Sequence, residues 1–311
     1  NVSADGGTIK LDGNYPVGSE NVALGDFAFG NLTTGGLNTA VGRGTLYSNT
    51  TGGSNSAFGT NALVNNTTGG TNTAIGASAL NSNTTASGNT AVGYQTGYSN
   101  TTGAQNVGLG YQALYDATTA NFSTAVGYQA ASNLTTGAHN IAIGRHALLT
   151  NTTGASNVAV GNQALNSNTT ASNNTAVGYE AGYANTTGDN LTSVGTTAGY
   201  SNTTGRFNTN LGKNAGYSNQ TGANNTTVGN GAGSANTADS LTAVGSNAAN
   251  ANTSGADNVA IGKEALTRNT TGASIVAIGK DALAFNTTAS NNTAVGYRAS
   301  HDNTTGTRNV S

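Results

Sequence analysis

The sequence predicts an all-β protein, a parallel β-solenoid of 17 coils with 17 residues per coil. Three observations carry that expectation. A glycine recurs at Gly25, Gly42, Gly59, Gly76 and onward to Gly296 in steps of 17, with one step of 16 between Gly229 and Gly245. A short β-type run returns at the same phase, as in Asn38-Thr39-Ala40-Val41-Gly42 and Asn292-Thr293-Ala294-Val295-Gly296. Charged residues make up only 7% of the chain, against roughly 25% in ordinary domains, yet the apolar residues keep a fixed phase. A disordered chain holds itself in solution by charge and has no reason to keep such a phase.

Composition narrows the function classes. The net charge of −2 and the lack of a basic cluster argue against nucleic acid as a partner. No apolar run approaches the length of a membrane span. With no cysteine there are no disulfides and no thiolate metal sites. The chain shows neither an initiator Met nor a signal-peptide pattern, which suggests a processed or excerpted chain.

Residues 1–20 precede the period. Asp5-Gly6-Gly7 and Asp12-Gly13-Asn14 read as turns around a strand at Thr8-Ile9-Lys10-Leu11, and the only proline, Pro16, stands just before the array. The segment reads as a cap on the first coil or as a junction strand for a neighbouring subunit. Residues 21–311 are the solenoid array.

Within each repeat, with the marking glycine at position 5, position 1 is Asn in 13 of 17 copies and suggests an amide ladder along the coils. Positions 2 and 4 are β-branched or apolar and share one strand face; position 3 is Ala in 13 copies and shares the other with Gly. The expectation is that the larger face, Val41 and its equivalents, lies inside. The small face is then shaped for contact with a neighbouring chain, or else the coil is flattened until its own walls touch. Position 8 is Ala in 15 copies. Position 9 is often Leu, as at Leu114 and Leu266, but Gly-Tyr takes positions 9 and 10 at Gly97-Tyr98, Gly182-Tyr183, Gly199-Tyr200 and Gly216-Tyr217. That exchange reads as volume compensation in a packed interior or interface. Asn-Thr-Thr-Gly closes the repeat as a corner whose Asn and Gly would accept left-handed backbone. The single short repeat loses its residue here, at Asn236-Thr237-Ala238-Asp239.

The pattern Asn-Thr-Ala-Val-Gly, with Asn140-Ile141-Ala142-Ile143-Gly144 followed by Ala147, resembles the head repeats of trimeric autotransporter adhesins of the YadA-like type, and similar repeats of phage and bacterial fibre proteins. The resemblance covers about residues 21–311. It implies a left-handed parallel β-roll, three chains packed side by side, and a surface that binds host matrix or cell-surface ligands. The repeat here is longer than the family's, and no heptad stalk or membrane anchor accompanies it.

Catalytic or cofactor chemistry is not indicated, and the expectation is a non-enzyme. His139, His146 and His301 lack metal-ligand spacing. Asp26, Glu180, Glu264 and Asp281 follow the strand; Glu264 and Asp281 could pair as glycosidase carboxylates, but read more simply as solubilising side chains. Fifteen Asn-x-Ser/Thr sequons are candidate N-glycosylation sites. Asn49, Asn66, Asn83, Asn100, Asn151, Asn168, Asn185, Asn202, Asn219, Asn252, Asn269, Asn286 and Asn303 share one phase, and Asn31 and Asn133 fall one residue earlier. The alternative is that Asn and Thr are simply good corner residues. The Thr-Thr pair invites an ice-binding reading, but adjacent threonines point to opposite faces and give no flat double column.

The array stops within a strand at Arg308-Asn309-Val310-Ser311, which suggests either a fragment of a longer fibre or head-to-tail completion of the coil by residues 1–20 of the next subunit. The functional expectation is an extracellular structural fibre or adhesin on a cell or virion surface. It would self-associate as a lateral homotrimer or head-to-tail filament, and host-surface or matrix ligands are candidate partners. A carbohydrate-binding or depolymerising tail fibre is the alternative.

Overall fold

The computed structural model describes residues 2–4, 7–9 and 20–311. It is all-β and holds no helix among these residues. Two short strands, β1 (Val2–Ala4) and β2 (Gly7–Ile9), pair antiparallel with Val2 opposite Ile9. The sequence placed a strand at Thr8-Ile9-Lys10-Leu11 after a turn at Asp5-Gly6-Gly7; Thr8 and Ile9 are in β2, but Gly7 begins that strand and β1 was not expected. Lys10, Leu11, the Asp12-Gly13-Asn14 turn and Pro16 lie outside the described residues.

The chain divides into two compact units, Asn1–Ala155 and Ser156–Ser311. The first contains β3 (Val22–Leu24), β4 (Thr39–Val41), β5 (Ser56–Phe58), β6 (Thr73–Ile75), β7 (Thr90–Val92), β8 (Val107–Leu109), β9 (Thr124–Val126) and β10 (Ile141–Ile143). The second contains β11 (Val158–Val160), β12 (Thr175–Val177), β13 (Thr192–Val194), β14 (Thr209–Leu211), β15 (Thr226–Val228), β16 (Thr242–Val244), β17 (Val259–Ile261), β18 (Val276–Ile278) and β19 (Thr293–Val295). In each unit, consecutive strands pair parallel and in register, so that Ala40 stands beside Ala57 and Val41 beside Phe58. The expected β-solenoid is therefore what forms, with one strand per repeat.

Three-residue strands would be weak alone, but the bonding between coils continues around the cross-section. Val22 donates to Asn38 O at 2.8 Å, Phe29 to Thr45 O at 3.1 Å, Asn31 to Tyr47 O at 2.9 Å and Thr33 to Thr50 O at 2.9 Å. Roughly alternate amides thus bond to an adjacent coil, while Ala28 and Leu32 close turns within their own coil.

The strand faces are the reverse of the sequence expectation. Position 3 points inward: Ala40, Ala57, Ala74, Ala125 and Ala142 are all fully buried. Positions 2 and 4 point outward, and Val22, Leu24, Ile75, Leu109 and Ile141 are exposed. The flattened coil is the arrangement found. Its interior is so thin that Ala of the strand meets Ala of position 8 and Leu of position 9 across it, as in the cluster of Ala40, Leu46, Ala57, Ala62 and Leu63. A Val at position 3 would overfill that space.

The marking glycine has two physical reasons. Gly42 takes φ +134°, outside the range of L-residues, and a Cβ there would lie 2.7 Å from the Gly59 carbonyl of the next coil. The other left-handed residues fall at positions 7, 9 and 17, such as Asn61 (58°), Leu63 (51°) and Ser54 (59°), and not at the corner Asn and Gly where the sequence suggested them.

Two columns of buried asparagine bind the coils together. At position 1, Asn38 Oδ1 accepts from the Asn55 backbone N–H at 2.9 Å, and Asn38 Nδ2 crosses the coil to Gly52 O at 2.9 Å. At position 12, Asn66 Nδ2 donates to Asn49 Oδ1 and to Gly69 O, both at 2.9 Å. Gly52 O accepts from Asn38 and from Asn49, so both columns converge on one corner carbonyl. The expected ladder at position 1 is present; the one at position 12 was not foreseen. The short coil keeps this bracing, with Asn225 and Asn236 both donating to Ala238 O and Asn252 to Asn236 Oδ1.

Position 9 shows two modes of filling. Leu46, Leu63, Leu148, Leu165, Leu266 and Leu283 are fully buried there. Where glycine replaces leucine, the tyrosine that follows does not fill the gap. Gly182 is flanked by Leu165 and Leu191 of adjacent coils, and Gly199, Gly216 and Gly233 face Ser193, Asn210 and Thr227, larger side chains than the usual Ala. These three are buried and linked, Asn210 Nδ2 to Ser193 Oγ at 3.4 Å and Thr227 Oγ1 to Asn210 Oδ1 at 2.8 Å. Compensation at Gly199, Gly216 and Gly233 comes from position 3, at Gly182 from Leu191 at position 1 and Leu165 at position 9, and Gly97 meets Leu80 at position 9 of the preceding coil.

Candidate interaction surfaces

Because the repeat aligns like residues, each outward position becomes a column, and a column is the unit in which this molecule can recognise anything. Four sets of columns stand out.

The strand face carries two, at positions 2 and 4. In the first unit they run from Val22 and Leu24 to Ile141 and Ile143, eight strands at ~4.8 Å spacing with about 7 Å between columns. Leu24 is 41% exposed, Ile75 41% and Leu109 43%. The second unit repeats the pattern through Val177, Leu211, Ile261 and Val295. Nothing among the described residues covers this face. A β-branched, uncharged, regular strip of this kind is the type of surface that proteins bury against a partner.

Beside it lie aromatic and amide columns. Tyr94, Tyr111 and Tyr128 at position 6 stack with centroids 5.4 and 5.1 Å apart. Tyr98 and Tyr115 at position 10 stack at 5.2 Å. Between them in sequence, Gln112 Nε2 donates to Gln95 Oε1 at 2.9 Å and Gln129 Nε2 to Gln112 Oε1 at 3.0 Å. His146 ends this amide column, its Nε2 3.1 Å from Gln129 Oε1; the acceptor is a carbonyl oxygen, so the imidazole donates. Burial, and then the neighbouring Arg145, hold the His146 pKa below its ordinary value. Burial also pushes the Tyr115 hydroxyl up, helped by Tyr98. In the second unit Tyr183, Tyr200 and Tyr217 stack at 5.1 Å.

At the corner, the thirteen in-phase sequon asparagines do not present their side chains. Asn49 through Asn286 are buried and Asn303 half-buried. Each donates Nδ2, the atom a glycan would occupy, to the carbonyl three residues on, as Asn49 does to Gly52 and Asn151 to Gly154. Asn31 and Asn133 differ: they are exposed, because Leu32 and Leu134 take the buried place instead. The one-residue offset in the sequence was the visible sign. Of the paired threonines, the first is committed, Thr50 Oγ1 donating to Thr67 O at 3.0 Å, and the second is exposed.

The titratable residues do not converge. Glu264 pairs with Lys263 at 3.4 Å and Asp281 with Lys280 at 3.8 Å, so each carboxylate faces its own neighbour. His139 stacks on Phe122 at 5.0 Å, and His301 contacts Asp302 at 2.7 Å. Among the described residues no cluster of three His, Asp or Glu could hold a metal ion, and no helix is long and apolar enough to cross a membrane. No known protein family and no curated protein matches the chain.

Proposed function

We propose that this chain is the shaft of a non-enzymatic extracellular fibre or adhesin, at a cell or virion surface, and that copies of it pack laterally through the strand face. The observation that carries the reading is the uncovered double column at positions 2 and 4, repeated in every coil. The resemblance to trimeric adhesin heads agrees with it, and the small face that sequence reasoning assigned to that contact is taken up inside the coil. Sedimentation equilibrium tests the proposal. The chain is expected to sediment as a homo-oligomer, and Ile75→Lys with Leu109→Lys to sediment as a folded monomer. A wild-type monomer at all concentrations would end the reading.

A second reading has one observation in its favour. The strand face, unlike the corner, places Thr and Val on one side of each strand, as in Thr90/Val92 and Thr124/Val126, a regular double column of the kind an ice-binding reading calls for. Thermal hysteresis by the wild-type chain would support it over lateral packing. On the glycosylation sites, we retain Asn31 and Asn133 as acceptors and set aside the thirteen at the buried phase; intact mass before and after deglycosylation reports which hold.

A further inference from the structure

The columns beside the strand face form a site of a different kind. In the first three coils, positions 6, 7 and 10 line an open depression of ≈ 310 Å³ formed by Phe27, Arg43, Gly44, Tyr47, Asn61 and Val64. A few coils further on, position 6 is Tyr94, Tyr111 and Tyr128, position 7 is Gln95, Gln112 and Gln129, and position 10 includes Tyr98 and Tyr115.

We propose that these stacked tyrosine and glutamine columns bind a neutral, flat, extended glycan of the β-1,4-linked type, lying across the coils with one sugar per coil. Four features support it. The ring centroids repeat at 5.1–5.4 Å, close to the advance per sugar of such a ribbon and unlike that of a peptide strand, at ~3.3 Å per residue. That spacing exceeds the ~3.5–4.0 Å contact distance of flat groups, so the rings are slipped and each leaves part of a face open; Tyr94 and Tyr128 are both 47% exposed. Sugar C–H faces pack on such surfaces. The glutamine column is pre-ordered by its own hydrogen bonds, yet each amide keeps a second N–H and a second lone pair for hydroxyls. Finally, Asp116 is the only charged residue from Gly88 to Ala138, which suits an uncharged polymer. The site does not use positions 2 and 4 and stands independently of lateral packing.

The test is titration of the full chain with cello- and chito-oligosaccharides of increasing length, followed by tyrosine fluorescence, since the chain has 12 Tyr and no Trp. Affinity should rise with length until the ligand spans the Tyr94–Tyr128 column and then level off. Tyr111→Ala should weaken binding about tenfold, while Tyr111→Phe, which keeps the ring, stays close to wild type. Tyr200→Ala should change nothing. Ile75→Lys with Leu109→Lys should bind as well as wild type, which separates this site from the packing face. Absence of binding by any β-1,4 oligomer, equal binding by helical α-1,4 glucans, or full binding by Tyr111→Ala would overturn the proposal.

Discussion

The coils around Leu46, Leu63 and Leu80 and those around Gly199, Gly216 and Gly233 solve one packing problem in two ways. In the first set, leucine fills the interior against alanine and forms a continuous apolar cluster. In the second, glycine clears the space and Ser193, Asn210 and Thr227 fill it with a buried hydrogen-bonded row. The difference turns on backbone conformation. Position 9 is left-handed in every case, 51° at Leu63 and 58° at Gly216. An L-residue there costs ~1–2 kcal/mol, while burying a leucine returns about 1.5–3 kcal/mol. The two nearly balance, so a coil can drop both together if something else occupies the volume. In these three coils position 9 is thus tied to position 3 across the coil, and not to the tyrosine next to it in sequence.

That coupling can be broken from either side. Leu63→Ala should show the largest effect, about 3 kcal/mol in chemical denaturation, because it empties a fully buried site and keeps the left-handed strain. Gly216→Leu should cost about 2–3 kcal/mol, since its Cβ would strike Asn210 Oδ1. Gly216→Leu with Asn210→Ala rebuilds the leucine mode and should recover most of that loss, a coupling above ~1 kcal/mol. Asn66→Ala should cost about 2 kcal/mol, as it strips Asn49 Oδ1 and Gly69 O of one donor each; hydrogen exchange should rise in the adjoining coils. Leu63→Gly should be milder than Leu63→Ala by about 0.5 kcal/mol, the reverse of the usual order, because glycine removes the strain.

The smallest effect concerns pH. The His146 pKa lies below its ordinary value, so the unfolded chain takes up this proton at higher pH than the folded one. Its contribution to stability is complete above about pH 6.5 and declines as the pH falls through that value toward the lower folded pKa. His146→Gln, which continues the glutamine column, should lose this component when denaturation midpoints at neutral and mildly acid pH are compared.

The period, the strand, the corner and the asparagine ladder at position 1 could all be read from the sequence, because each is a local pattern copied many times at one phase. Which face lies inside could not. Alternation in Thr39-Ala40-Val41 defines two faces, and large residues normally mark the interior; only the thinness of the flattened coil makes Ala40 the core residue. The sequons hide a similar difference. Asn49 and Asn31 share a motif, but one folds its amide onto Gly52 and the other faces outward, a difference of one residue in a tight turn. The glutamine and tyrosine columns were scattered variation in the sequence until stacking aligned them.

The central claim is that the large residues of every strand face outward and are covered by copies of the same chain. Because the chain contains no cysteine, single substitutions report directly. Mild oxidation of Ile75→Cys should give covalent dimers, the most that one thiol per chain allows, while Ala74→Cys, inside the coil, and Thr68→Cys, at the exposed corner of an adjacent coil, should remain single chains. Cross-linking at Thr68→Cys but not at Ile75→Cys would contradict it.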